Sequence, residues 1–388
     1  PYLVRVLGPD KYGLVSFAQA FIGYFMILTD YGFNLSATRE ISINRDNREK
    51  VSEIFSSVMT IKAGLLILSF ILMSIIVFSF GKFSRDWPIY YLTFGMVLGQ
   101  VLFPVWFFQG MERMKYITVL NITAKLIFTV AIFVFVHSVN DFLYVPLLNT
   151  LGYLIAGILS LLLIFRDFDI NFKSPSLADI KYHLKEGWNI FLSTIAVSLY
   201  TTSNTFILGL FTNNTIVGYY SGAEKLINAV TSLIAPINQT VYPYIANLIN
   251  KSIKEGLSFA RKLLIIMSSL FFIISLTCFF FAGDIVKIVL GEQYLYSVII
   301  LKIFSILPLL IVLSNVFGFH TMITMGYGKD FSKIFVKAGI LSIVLAFIVI
   351  PFFKQNGAAV LRVFIEVMIV YYMIAFHNKK NTLKFILS

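Results

Sequence analysis

The sequence is poor in cysteine, histidine and charge. Its single cysteine, Cys278, excludes an intramolecular disulfide and any Cys-cluster metal site. His137, His183, His320 and His377 lie far apart, and none pairs at i, i+4 with another ligand type. No metal and no cofactor is therefore expected. The chain has no phosphate-cradling Gly-x-x-x-x-Gly-Lys loop and no His-Glu-x-x-His pair. Only 13% of its 388 residues are charged, against about 25% in soluble domains. Two or three soluble domains, the reading length alone would favour, are excluded.

Apolar sequence fills the space. Hydrophobic residues make up 58%, with 40 Phe and 20 Tyr, types that suit lipid-facing and interfacial positions. Long apolar segments run over about 13–35, 55–80, 89–109, 117–137, 142–165, 188–211, 216–246, 263–282, 297–320, 333–353 and 358–376. Each is near the roughly 20 residues a helix needs to cross a bilayer. Pro1 to Leu7 reads as the end of a further, clipped helix, giving twelve. Alternate loops, around 39–50, 113–115, 166–185, 251–262, 329–333 and 379–384, hold nineteen Lys and Arg against six in the other set. The richer side is expected to be cytoplasmic, with both termini there. The net charge of +12 then faces anionic lipid, and nucleic acid is not an expected partner.

The longest polar break, 166–187, divides residues 1–165 from 188–388 as two six-helix halves joined by a cytoplasmic linker. The halves echo each other at a constant offset of 205. Gly13-x-x-Ser16-x-Ala18-Gln19 in one matches Gly218-x-x-Ser221-x-Ala223-Glu224 in the other. The expected fold is an all-α membrane protein: two pseudo-symmetric six-helix bundles around a central cavity, an architecture suited to alternating access.

A charge inside a bilayer costs about 2.5–3.5 kcal/mol on insertion scales, so each invites a functional reading. Lys125 and Lys225 fall near mid-span and are candidate anion-binding residues of the cavity. Lys62 is a third candidate, with snorkelling to an interface as its bland alternative; Lys302 carries the same ambiguity. Glu224 and Glu366 are candidate coupling-ion carriers. Arg362 and Glu366 stand at i, i+4 and can equally neutralise each other. Asp30 reads as a helix-end residue. Thr194, Ser198, Thr201 and Thr205, spaced 4, 3 and 4, form one polar stripe. It faces either a hydrated cavity that accommodates sugar or a packed neighbouring helix. Pro104, Pro236 and Pro243 should kink their helices.

Three segments carry a family resemblance. Pro1-Tyr2-Leu3-Val4-Arg5-Val6-Leu7-Gly8-Pro9-Asp10-Lys11-Tyr12-Gly13 resembles the first-helix exit of bacterial polysaccharide repeat-unit flippases of the O-antigen, Wzx type. Asp30 to Ser42 and Trp106 to Tyr116 look like that family's second-helix signature and fourth-helix ending. The last two-thirds of the chain is similar mainly in span number and pattern. The resemblance implies the multidrug/oligosaccharidyl-lipid/polysaccharide exporter superfamily and a bacterial inner membrane. It implies a substrate too, an oligosaccharide on undecaprenyl pyrophosphate moved from cytoplasmic to periplasmic leaflet, with other polysaccharide-assembly proteins as partners. By the same analogy Arg5 meets the pyrophosphate, or else anchors the helix at the interface. A cation-coupled drug exporter on the same scaffold is the alternative, although it would favour acidic cavity groups. A membrane glycosyltransferase or polymerase is disfavoured by the short outer loops.

Overall fold

The computed structural model describes residues 1–387, except for the side chains at 193, 196, 197, 199–201 and 387. Among the described residues every regular element is a helix and there is no strand. Backbone groups in hydrocarbon must be satisfied within their own segment, and helices do that. By contacts the chain forms two compact units, Val15–Ile195 and Pro1–Leu14 with Ala196–Ser388.

Val15–Ile195 holds most of α1 (Tyr2–Asp30), then α2 (Phe33–Asn44), α3 (Arg48–Ser79) and the single turn α4 (Gly81–Ser84). It continues with α5 (Trp87–Leu102), α6 (Val105–Gly110), α7 (Met114–Phe135), α8 (Tyr144–Asp167) and most of α9 (Leu177–Thr201). At 32 residues α3 is about 48 Å long, more than the hydrocarbon thickness. Asn47 starts it, its side chain accepting from the Lys50 N–H. Pro104 separates α5 from α6 outright, a stronger effect than the kink expected there. Phe33, Ala37, Ile41, Trp106, Phe107 and Phe108 pack in one buried cluster. Large apolar side chains on the outside, such as Phe78, Leu126 and Val130, are what lipid-facing helices display.

The segment after α8 is seated on α3. The Asn171 and Lys173 N–H groups donate to the Ser52 and Ser56 hydroxyls at 3.3 and 2.9 Å. Ile170 is buried, and Lys173 pairs with Glu49 at 2.8 Å. That hydrogen bond raises the Lys173 pKa above the ordinary lysine value. A capping box then opens α9: the Asp179 N–H donates to Ser176 Oγ, and the Ser176 N–H to Asp179 Oδ2, both at 3.2 Å. The Ser176 hydroxyl holds the Asp179 carboxyl below the usual carboxylate range.

The other unit contains α10 (Ser203–Phe211), α11 (Asn214–Thr231), α12 (Ile234–Lys251), α13 (Ile253–Phe280) and α14 (Ala282–Val289). After them come α15 (Ser297–Phe304), α16 (Leu307–Ser314), a π-helical segment (Asn315–Ile323), α17 (Gly328–Lys379) and the short α18 (Leu383–Leu387). Pro236 lies in the first turn of α12, just past the break from α11, and Pro243 inside the same helix. At 52 residues α17 is about 78 Å long, over twice the hydrocarbon thickness. Its helix breaks at Lys354 (φ 49°, ψ −134°), which divides it into two arms, each long enough to cross. Among the described residues eight helical runs are long and apolar enough to span a membrane. The segments expected at 188–211 and 216–246 are helical but interrupted at Thr202 and at Ser232–Leu233.

The repeat glycines meet within this unit. A Cβ on Gly13 would strike the Asn214 carbonyl, and one on Gly218 would strike the Pro9 carbonyl. Pro9 and Asn214 differ by the same 205 as Gly13 and Gly218. The contact is thus reciprocal, each partner offering the position equivalent to the one it touches, as at an isologous interface. Asp10 and Thr215, themselves 205 apart, are joined there by a hydrogen bond of 3.3 Å.

Candidate functional site

Among the described residues two charged clusters stand inside the helices, one in each unit. In Val15–Ile195 the cluster forms where α1 ends. Tyr31 and Gly32 both take positive φ, 48° and 78°, and the chain turns sharply into α2. Gly32 is needed because a Cβ would collide with the Ile190 side chain. Tyr31 stacks on Phe191 at 4.7 Å. The turn presents Asp30, which accepts from Asn34 Nδ2 at 2.7 Å and lies 3.9 Å from Lys62 Nζ. Lys62 is 1% exposed. Snorkelling, its bland alternative, is therefore replaced by a buried ion pair, and Asp30 is that pair's anion as well as a helix-end residue.

In the other unit Glu224 on α11 pairs with Arg362 on α17. Thr205 Oγ1 donates to the second Glu224 oxygen at 3.2 Å, and Arg362 also donates to Asn228 Oδ1 at 3.1 Å. The Arg362 guanidinium lies over the Phe304 ring, 5.4 Å from its centre. Arg362 and Glu366 therefore do not form the i, i+4 ion pair read from the sequence. Helix α11 reaches the guanidinium first, and Glu366, 7% exposed, accepts from Ser314 Oγ at 2.9 Å. Beside them Asn238 Nδ2 donates to Asn315 Oδ1, and His320 Nε2 contacts Asn238 Oδ1, both at 2.9 Å.

The remaining candidates are scattered. Lys125 is exposed on α7 between Ile122 and Leu126, themselves 53% and 60% exposed. Lys225 is exposed beside the half-buried Glu224. Arg5 donates to the Ile288 carbonyl near the end of α14, and Gln293 Nε2 returns a bond of 2.8 Å to the Arg5 carbonyl. Cations at helix C-termini complement the dipole there. The hydroxyl stripe is divided, since α9 ends at Thr201 and α10 begins at Ser203. Thr194 donates back to the Ile190 carbonyl at 3.0 Å. Ser198 is half-buried, Thr205 turns to Glu224, and the Thr201 side chain lies outside the described residues.

Asn228, Asn238, Ser314, Asn315 and His320 were not singled out as site residues from the sequence. Ser314-Asn315 does interrupt an otherwise apolar run, and that interruption was the available signal.

The signature segments are largely packing devices. Thr38 Oγ1 donates to the Trp106 carbonyl at 3.2 Å and contacts Gln109 Oε1 at 3.3 Å. Arg45 pairs with Glu112 at the end of the same α2–α6 contact. The second and third segments thus hold each other, while the first carries the Gly13 crossing.

Residues 1–249 match the model of a family described as polysaccharide biosynthesis protein. A relative from Escherichia coli (strain K12), provisionally named an O-antigen transporter, is 34% identical over 99% of this chain and 92% of its own. Another of the same provisional name, from Shigella dysenteriae, is 29% identical over 96% and 93%. Among solved structures, an inward-facing multidrug resistance MATE family transporter of the MOP superfamily superposes with a TM-score of 0.80 at 12% identity. That match covers 98% of this chain and 93% of the transporter. The lipid II flippase MurJ, in an inward closed conformation, gives 0.76 at 14% identity over 99% and 86%. At such identities the likeness is one of fold. By the family match and by the relative from Escherichia coli, this chain belongs to the polysaccharide biosynthesis protein family.

Proposed function

We propose that this chain is a flippase for lipid-linked oligosaccharide. It moves repeat units carried on undecaprenyl pyrophosphate from the cytoplasmic to the periplasmic leaflet of a bacterial inner membrane, by alternating access. Both termini face the cytoplasm, and other polysaccharide-assembly proteins supply and consume the repeat unit. The observation that carries the reading is the 34% identity, over almost the whole chain, to a protein provisionally named an O-antigen transporter. Physical chemistry agrees. A pyrophosphate and a sugar chain cannot enter hydrocarbon unaided, whereas a polyprenyl tail stays in lipid. Shielding the head group suffices, and no covalent bond need form or break.

Within this reading Lys225 and Arg5 are assigned to the pyrophosphate, whereas Lys125, exposed on α7 beside the outward-facing Leu126, is not. Lys62 serves less directly, because Asp30 already offsets its charge. Thr194, Ser198, Thr201 and Thr205 are assigned to hydroxyl contacts with the head group. Glu224 and Glu366 are assigned to ion coupling. A balance of cations over anions within the spans favours a phosphorylated cargo over an organic cation.

The test is reconstitution of the full chain in vesicles with labelled undecaprenyl pyrophosphate oligosaccharide. Leaflet exchange at least tenfold faster than in protein-free vesicles is expected, and exchange at the protein-free rate would overturn the proposal. A rate indifferent to imposed ΔpH and potential would remove Glu224 and Glu366 from coupling.

A further inference from the structure

A cavity of about 240 Å³ opens inside the second unit, walled by α16, the π-helical segment and both arms of α17. Its wall combines two chemistries. Phe319, Phe331 and Phe335 supply aromatic faces, the last two tilted together at 4.7 Å. Ser314, Asn315 and Glu366 supply a hydroxyl, a carboxamide and a carboxylate.

The polar groups are held from behind. Asn238 donates to Asn315 Oδ1, Asn315 Nδ2 donates to the Ile311 carbonyl at 2.7 Å, and Ser314 donates to Glu366. Behind Asn238 stands His320, 1% exposed. With its Nε2 engaged by Asn238, its Nδ1 has no hydrogen-bond partner among the described residues. Groups fixed in this way meet a ligand without first reorganising, which is how small-molecule sites orient what they bind.

The backbone is shaped for the same purpose. Nine residues, Asn315–Ile323, are π-helical, and such segments are rare and frequent at functional sites. The Thr321 hydroxyl is bonded to the carbonyls of Val316 and Phe317 at 2.9 and 2.6 Å, and His377 Nε2 meets the Phe317 carbonyl at 2.8 Å. These side chains satisfy carbonyls that the wider turn displaces. Asn315 and Phe319, at the start and middle of the π segment, consequently line one wall.

Charge and size select the ligand. Arg362 lines the cavity, but Glu224 offsets its charge, so the lining offers no unpaired cation, and the Glu366 carboxyl presents oxygens for hydrogen bonding. An anion is disfavoured there, and hydroxyl donors are favoured. The volume is below the roughly 300–1,000 Å³ of cavities for drug-sized molecules. Aromatic faces stack on the apolar face of a pyranose while amide and carboxylate take its hydroxyls.

We propose that this cavity is a saccharide subsite that accepts one sugar ring of the transported repeat unit and discriminates between repeat units. The proposal rests on the flippase reading for the source of the sugar, and it places the ring apart from the pyrophosphate.

The test uses the purified full chain in detergent. The probe is the repeat-unit oligosaccharide released by mild acid from the organism's lipid-linked pool, free of phosphate and polyprenol. Calorimetric titration should show binding to the wild type. Asn315→Ala and Phe335→Ala should each raise Kd at least tenfold. Asn315→Gln keeps the amide but displaces it by one methylene, and should raise Kd at least fivefold should the alanine variant fold poorly. Pyrophosphate should not compete. Unchanged Kd in the variants, competition by tetraphenylphosphonium, or no binding to the wild type would each overturn the subsite. Leaflet exchange by the same preparation separates the two ideas. Exchange without free-sugar binding removes the subsite and keeps the flippase, whereas sugar binding without exchange does the reverse.

Discussion

Arg362 and Glu224 have side chains 15% and 17% exposed, so solvent compensates neither charge well and each is offset by the other. Arg362→Met is expected to destabilise the protein by about 3–5 kcal/mol, the range for removing one partner of a buried pair. The double variant Arg362→Met/Glu224→Leu should regain most of that, since no charge is then left alone. Denaturant unfolding in detergent measures both. A double variant as unstable as the single one would mean that the pair does not act as a unit. The sequence made both side chains visible as charges within spans, but it offered Glu366 as the partner of Arg362. Helical spacing identifies neighbours on one helix and says nothing of a helix 138 residues away. The same holds for Lys62, whose partner Asp30 is visible only once α1 turns at Tyr31 and Gly32.

At the scale of elements the reciprocal crossing of Gly13 and Gly218 is the sharpest case. Gly218→Val would push α11 off the Pro9 carbonyl, and overpacking of this kind costs about 1–3 kcal/mol. Gly283, where an added methyl group would meet nothing within 4 Å, is the control: Gly283→Ala should leave the melting temperature unchanged. Thermal unfolding of both variants decides it, and equal melting would show that the crossing tolerates a side chain. The constant offset of 205 was legible in the sequence because both glycines sit in matching small-residue patterns. Their mutual contact was not, because a repeat states equivalence without stating adjacency. The π-helical segment was equally hidden. Asn315–Ile323 reads as ordinary apolar helix, and its wider turn depends on Thr321 and His377, the latter approaching from the far end of α17.

For the molecule as a whole, orientation is the property to test. In a Cys278→Ala background, Ser174→Cys lies in the cation-rich loop set and Glu292→Cys in the opposite one. A membrane-impermeant thiol reagent added to intact spheroplasts should label position 292 and spare 174. Labelling of 174 alone would invert the proposed topology. The helical class, the positions of the apolar runs and the loop-charge asymmetry were fixed by sequence, since hydrocarbon enforces internal hydrogen bonding and each span needs a minimum apolar length. Tertiary structure alone decided where those runs break, which charges are paired and which side chains surround a cavity. Such matters depend on contacts between segments remote in the chain, and local periodicity carries no record of them.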